Sequence, residues 1–162
     1  MSVNHIVMDF TSAIKSGFSN YAYFSGRASR SEYWYWTLFT VIVGFALGFI
    51  EGALGLYMID PVLLDPEMPE YGEIGGLGLL SPIANLALFI PSLAMIWRRV
   101  HDVDKSGAWW FIWLTCVGAI VLLVWAATKG TAGPNRFGPD PLGTGEALPD
   151  PPAPGDGPSL EA

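Results

Sequence analysis

Five consecutive residues, Arg98-Arg99-Val100-His101-Asp102, gather more chemistry-capable side chains than any other stretch of this chain. Adjacent guanidiniums suit phosphate, and a histidine beside an aspartate has the parts of a proton relay. The spacing argues against a reaction site, because neighbouring residues rarely face each other. Asp102 or Asp104 could instead satisfy the arginines or the turn backbone. With Glu32, the favoured reading is an ion pair or bidentate clamp, Glu32 against Arg98 and Arg99, joining two helices at one membrane face. The sharper reading makes Arg98, Arg99, His101 and Asp102 a site for anionic lipid headgroups.

Other chemistries lack their parts. His5 and His101 are the only histidines, too few for a zinc site, which needs three or four ligands in fixed geometry. Cys116 is the single cysteine and sits in an apolar run, so it reads as a small hydrophobe with no disulfide to make. Gly130 to Gly138 is glycine-rich but lacks the strand-to-helix setting of a phosphate loop, and no serine sits in a nucleophile elbow. That stretch reads as a compact turn in which Asn135, Arg136 and Asp140 hydrogen-bond locally. The expectation is no metal, no cofactor and no catalytic residue.

The elements that position these residues are apolar. Hydrophobic residues make up 51 % of the 162 and charged ones 14 %, where a soluble domain carries about 25 % charged. The charge deficit concentrates in three runs that read as membrane spans, about 33–52, 77–97 and 108–127. The net charge of −7 hides two acid-only segments, Glu51 to Glu73 and Asp140 to Glu161. No basic face exists for a nucleic acid.

Residues 1–24 read as an amphipathic helix, with Ile6, Phe10, Ala13, Ile14 and Phe18 on one face. It either lies on the membrane or folds against the spans; a short soluble helix is the plainer alternative. It has no basic n-region or apolar core of a signal peptide, so the first span is expected to direct insertion. Ser29 or Ser31 could cap that span, with Glu32 in its first turn and Tyr33 to Trp36 at headgroup level. Gly44, Gly48 and Gly52 recur every four residues, a helix-packing face that permits close approach. Glu51 is expected to reach the far interface or, less favoured, to pair inside the bundle. In the second span Pro91 should kink the helix, and Asn85 is a candidate for interhelical hydrogen bonding. Ser106 should cap the third. Residues 142–162, rich in Pro, Gly and acids, cannot bury enough to order themselves.

Orientation follows from basic residues. Lys15, Arg27, Arg30, Arg98, Arg99 and Lys105 flank one side and the acidic loop carries none, which puts the N-terminus in the cytoplasm. Three spans would place the C-terminal tail outside, against the mild preference of Lys129 and Arg136.

Three motifs recur together around these runs: Phe24-Ser25-Gly26-Arg27-Ala28-Ser29-Arg30-Ser31-Glu32-Tyr33-Trp34; Arg98-Arg99-Val100-His101-Asp102 with Ser106-Gly107-Ala108-Trp109-Trp110; and Gly130 to Pro141. In this order they resemble the bacterial inner-membrane family called domain of unknown function 805, from roughly Ala13 to Pro141. The family's second motif usually has leucine where Val100 stands. The resemblance implies a bacterial inner-membrane protein and carries over no catalytic residue.

The expected fold is therefore an all-α membrane protein, a bundle of about three transmembrane helices (domain 25–141) after an amphipathic helix (1–24) and before a disordered tail (142–162). The expected role is non-catalytic, binding lipid or a membrane partner, or a second copy through Gly44, Gly48 and Gly52. The alternative is a subunit of a transporter or membrane enzyme using the 98–102 turn. Near mid-membrane the chain offers only Asn85, with Glu51 if it pairs inside the bundle, which speaks against a transport path.

Overall fold

The structure, a computed structural model, describes residues 8–59 and 77–143. It is helical apart from one small ribbon. Helix α1 is Phe10–Ser19 and α2 is Arg30–Leu54; strands β1 (Tyr57–Ile59) and β2 (Leu77–Gly78) pair antiparallel; α3 is Leu80–Asp102; a 3-10 helix covers Gly107–Leu114; and α4 is Cys116–Ala127. Residues 1–7, most of the acidic loop and the tail from 144 lie outside the described residues, as does the Cys116 side chain.

Among the described residues, α2 and α3 are the two helices long and apolar enough to cross a membrane. At 25 residues α2 is about 38 Å long, against about 30 Å of hydrocarbon. Its start is fixed by Ser29, whose hydroxyl accepts from the Glu32 amide at 3.2 Å, and its end by Gly55 in the left-handed region. The two helices run antiparallel. At one end the Ala28 amide donates to the Arg98 carbonyl at 3.0 Å. At the other, the Glu51 carboxylate accepts from the Leu80 and Ser81 amides and the Ser81 hydroxyl, so one helix caps the N-terminus of the next. Glu51 is buried in this role.

Pro91 stays inside α3. It has no N–H for the carbonyl four residues earlier, and that carbonyl, on Ala87, accepts the Tyr21 hydroxyl instead. α1 lies beside α2, with Gly17 flat against the Trp36 ring: a Cβ there would come within 2.1 Å of the indole. Trp36 donates to the Ser92 hydroxyl at 3.1 Å and packs with Ala28 and Met95 in a small core. The outer surface is apolar: Phe45 and Phe49 are each 78 % exposed and Leu86 76 %. Gly44 and Gly48 lie on this open surface, where an added Cβ would touch nothing, and Gly52 is half-buried. The Asn85 side chain is exposed too and makes no hydrogen bond among the described residues.

The apolar run 108–127 does not form one 20-residue span. Thr115 breaks it: its backbone is extended, its hydroxyl donates to the Ile112 carbonyl at 2.8 Å and accepts from the Gly118 amide at 3.0 Å, capping α4. Gly118 sits so close to the preceding limb that a Cβ would collide with the Ile112 carbonyl oxygen. Trp109 and Trp125, near opposite ends of the run, meet edge to face with centroids 6.0 Å apart. Both ends belong to the same end of the α2–α3 pair: Gly107 packs on Trp97, while the carbonyls of Ala126 and Thr128 bond to Arg99. The run is a hairpin that leaves and returns to one face. Hydropathy counts length but not the local capping that folds the run back.

Candidate functional site

Three polar motifs meet at the Arg30–Asp102 end. Asp102, the last residue of α3, is the centre and is 3 % exposed. One carboxylate oxygen accepts Arg27 Nε at 2.9 Å and lies 2.8 Å from its Nη2; the other accepts Arg99 Nη1. A single acid between two guanidiniums leaves positive charge, and backbone carbonyls take it up. Arg27 donates to the carbonyls of Gly133 and Thr131 at 2.6 Å each. Arg99 is fully buried and donates to the carbonyls of Ala126 at 3.0 Å, Ala28 at 3.2 Å and Thr128. Ala126 and Thr128 terminate α4, so Arg99 satisfies the carbonyl end of that helix and opposes its dipole.

Arg98 faces the other way. Its Nη1 lies 3.2 Å from Glu32 Oε1, and Glu32 also accepts the Ser16 hydroxyl at 2.7 Å, tying α1, α2 and α3 together. Arg98 Nε is buried without a hydrogen-bond partner among the described residues. The Glu32 clamp expected for both arginines thus holds Arg98 alone, because residues one apart on a helix diverge by about 100°.

His101 Nδ1 sits 3.0 Å from the Gly26 carbonyl, and the ring stacks on Phe137 at 3.9 Å and 5°. Arg136 lies over the other side of Phe137 and pairs with Asp104 at 3.1 Å in an exposed bridge. The Asp102 carboxylate is turned toward the arginines, so no hydrogen bond joins the His–Asp pair into a relay. The Gly130–Pro141 turn closes the site from outside. Thr131 donates amide and hydroxyl to the Asp102 carbonyl at 2.8 Å, and Asn135 donates to the His101 carbonyl at 3.0 Å. The turn also bonds locally: Gly133 N–H donates to Asp140, and Phe137 N–H to Asn135. Gly130 is required, since a Cβ would come 2.0 Å from an Asp102 oxygen.

The arrangement is a lock more than an open centre. Of the residues singled out from sequence, Glu32, Arg98, Arg99, His101 and Asp102 all belong to it. Gly44, Gly48 and Gly52 lie elsewhere along α2. Sequence reasoning passed over Arg27, Thr131 and Phe137 as parts of one site; their motifs were visible, but nothing in the spacing joins them across a hundred residues. Among the described residues no group of three or more His, Cys, Asp or Glu could hold a metal.

A family model described as protein of unknown function (DUF805) matches residues 21–139. The chain belongs to this family. Within DUF805, the inner membrane protein YhaI of Escherichia coli K12 is 43 % identical over 123 residues, covering 75 % of this chain and 88 % of the relative. Inner membrane protein YhaH of the same strain is 37 % identical over 124 residues, covering 75 % and 89 %. No solved structure matches. The DUF805 match opens before Arg27 and closes after Gly138, so it takes in the whole Arg27–Asp102–Arg99 lock.

Proposed function

We propose that the protein is a non-catalytic component of the bacterial inner membrane that binds lipid or a membrane partner within the bilayer. In this reading α2 and α3 cross it, the lock lies in the cytoplasm, and the 107–127 hairpin dips into the cytoplasmic leaflet and returns. The limbs support this by length: about 16 Å for eight residues of 3-10 helix and about 18 Å for twelve of α-helix, each near half the hydrocarbon. Charge supports it as well. All eight lysines and arginines then fall on one side, Lys129 and Arg136 included.

The observation that carries the non-catalytic reading is the occupancy of Arg99. Its three nitrogens all donate to the protein itself, so it has nothing left for a substrate. Single cysteines at Ser25, Glu67 and Ser159, in a chain whose Cys116 is replaced, test the topology. Impermeant reagent should label position 67 from outside and positions 25 and 159 only from the cytoplasm. Labelling of 159 from outside overturns the two-span arrangement. A His101→Gln variant that melts like the wild type but fails to complement a deletion phenotype overturns the non-catalytic role.

A further inference from the structure

Between α2, α3 and the hairpin lies a cavity of about 410 Å³, walled by Thr37, Thr40, Ser92, Ile96, Trp113 and Leu122 among others. Its threonine hydroxyls and the Ser92 oxygen are engaged within the protein. Thr37 donates to the Tyr33 carbonyl at 2.9 Å, Thr40 to the Thr37 carbonyl at 2.8 Å, and Ser92 accepts from Trp36. The rest of the wall is mostly aliphatic and aromatic, so its natural occupant is hydrocarbon.

One helical turn before Tyr33, which walls the cavity, α2 carries Arg30, which lines a separate hollow. Arg30, Tyr33, Thr37 and Thr40 form one stripe on α2, at spacings of three, four and three. Lys129 follows α4, whose Leu122 walls the cavity. Arg30 and Lys129 line one small hollow with Gly130 and Thr131. Both are exposed, and neither has a hydrogen bond or ion pair among the described residues. Two acids line the hollow as well: Asp102, shared by Arg27 and Arg99, and Asp140, which accepts from the amides of Gly133 and Leu142. Counting Arg27 and Arg99, cations outnumber acids there. Arg30 is also the first residue of α2, where the helix dipole favours an anion.

We propose that this cleft holds one acyl chain of an anionic phospholipid of the cytoplasmic leaflet, its phosphate bound between Arg30 and Lys129. This rests on the hairpin lying in that leaflet, as above. A phosphodiester accepts two parallel N–H bonds from Arg30 and a point contact from Lys129, while the chain replaces bulk lipid along the apolar wall.

The test is native mass spectrometry of the full chain, exchanged into mixed micelles with phosphatidylglycerol or phosphatidylcholine of matched acyl chains. Wild type should retain phosphatidylglycerol preferentially. Arg30→Gln with Lys129→Gln should reduce that retention about tenfold or more, leaving phosphatidylcholine unchanged. Ala119→Phe, which fills the cleft, should lower retention of both lipids. Thermal unfolding of each variant near the wild-type midpoint certifies the fold, and Thr40→Leu replaces Ala119→Phe if that variant misfolds. Equal retention of the two lipids by wild type, or no effect of the double substitution, overturns the phosphate site. Loss in the charge variant with full retention when the cleft is filled overturns the acyl-chain site. Loss of a dimer instead of a lipid assigns the cleft to a second copy and overturns both. Labelling of a cysteine at 129 from outside would fail the topology itself; cytoplasmic labelling with no retained lipid fails this inference alone.

Discussion

Tyr21 gives its hydroxyl to the Ala87 carbonyl, the one that Pro91 leaves without a backbone donor. A residue of the N-terminal segment thereby repairs the defect that a proline makes in a membrane helix. Such orphaned carbonyls are costly in an apolar medium. Tyr21→Phe should lower stability by about 1 kcal/mol, read as a fall in the unfolding midpoint in detergent. Restoring a backbone donor with Pro91→Ala should make the Tyr21→Phe change nearly silent. An undiminished effect in the Pro91→Ala background would refute the repair.

The buried arginine at the end of α3 should be intolerant of conservative change. Arg99 reaches Asp102 and the carbonyls of residues 28, 126 and 128 with one planar fork. Arg99→Lys puts three donors on a single nitrogen that cannot span those acceptors. Both Arg99→Lys and Arg99→Ala should lose about 3–5 kcal/mol, or fail to fold. The exposed Arg136–Asp104 bridge is the control: Arg136→Ala should change stability by less than about 1 kcal/mol.

Two glycines should answer oppositely to alanine. At Gly130 the new methyl would strike the Asp102 carboxylate, and about 1–3 kcal/mol should be lost. At Gly48 it meets nothing within the chain, so the isolated protein should be unaffected or slightly more stable. If another helix docks on that face, a bulkier Gly48→Ile should weaken the assembly seen by cross-linking while leaving the monomer's unfolding unchanged.

Glu51 caps the N-terminus of α3 from a different helix. Glu51→Ala should cost about 1–2 kcal/mol and speed hydrogen exchange at the Leu80 and Ser81 amides. Glu51→Gln, which keeps an acceptor and loses the charge, should fall between. Unchanged exchange at those two amides in Glu51→Ala would count against the cap.

How far the sequence reaches can be judged from these same residues. The α2 and α3 runs announce themselves by length and apolarity, and Ser29 and Ser106 cap helices as their positions suggest. The hairpin does not announce itself. Residues 108–127 satisfy the length rule for a span, and only the Thr115 break and the return of Ala126 to Arg99 show otherwise. The site was legible as motifs and not as wiring. Arg27 and Arg99 are bonded mostly to backbone carbonyls, which every residue has, so no side-chain pattern encodes those partners. Glu51 offered two destinations, and its actual one, a helix N-terminus, consists of two backbone amides and the Ser81 hydroxyl.

The reach of Arg27 to Gly133 and Gly138 sets an order of events during synthesis. The two long apolar helices can form as the ribosome delivers them, but Arg27 must wait for acceptors more than a hundred residues downstream. Until then the nascent chain carries a cation without its final acceptors. Premature stop codons anywhere before the 130s should therefore yield inserted but unfastened polypeptide, the kind that membrane quality-control proteases remove.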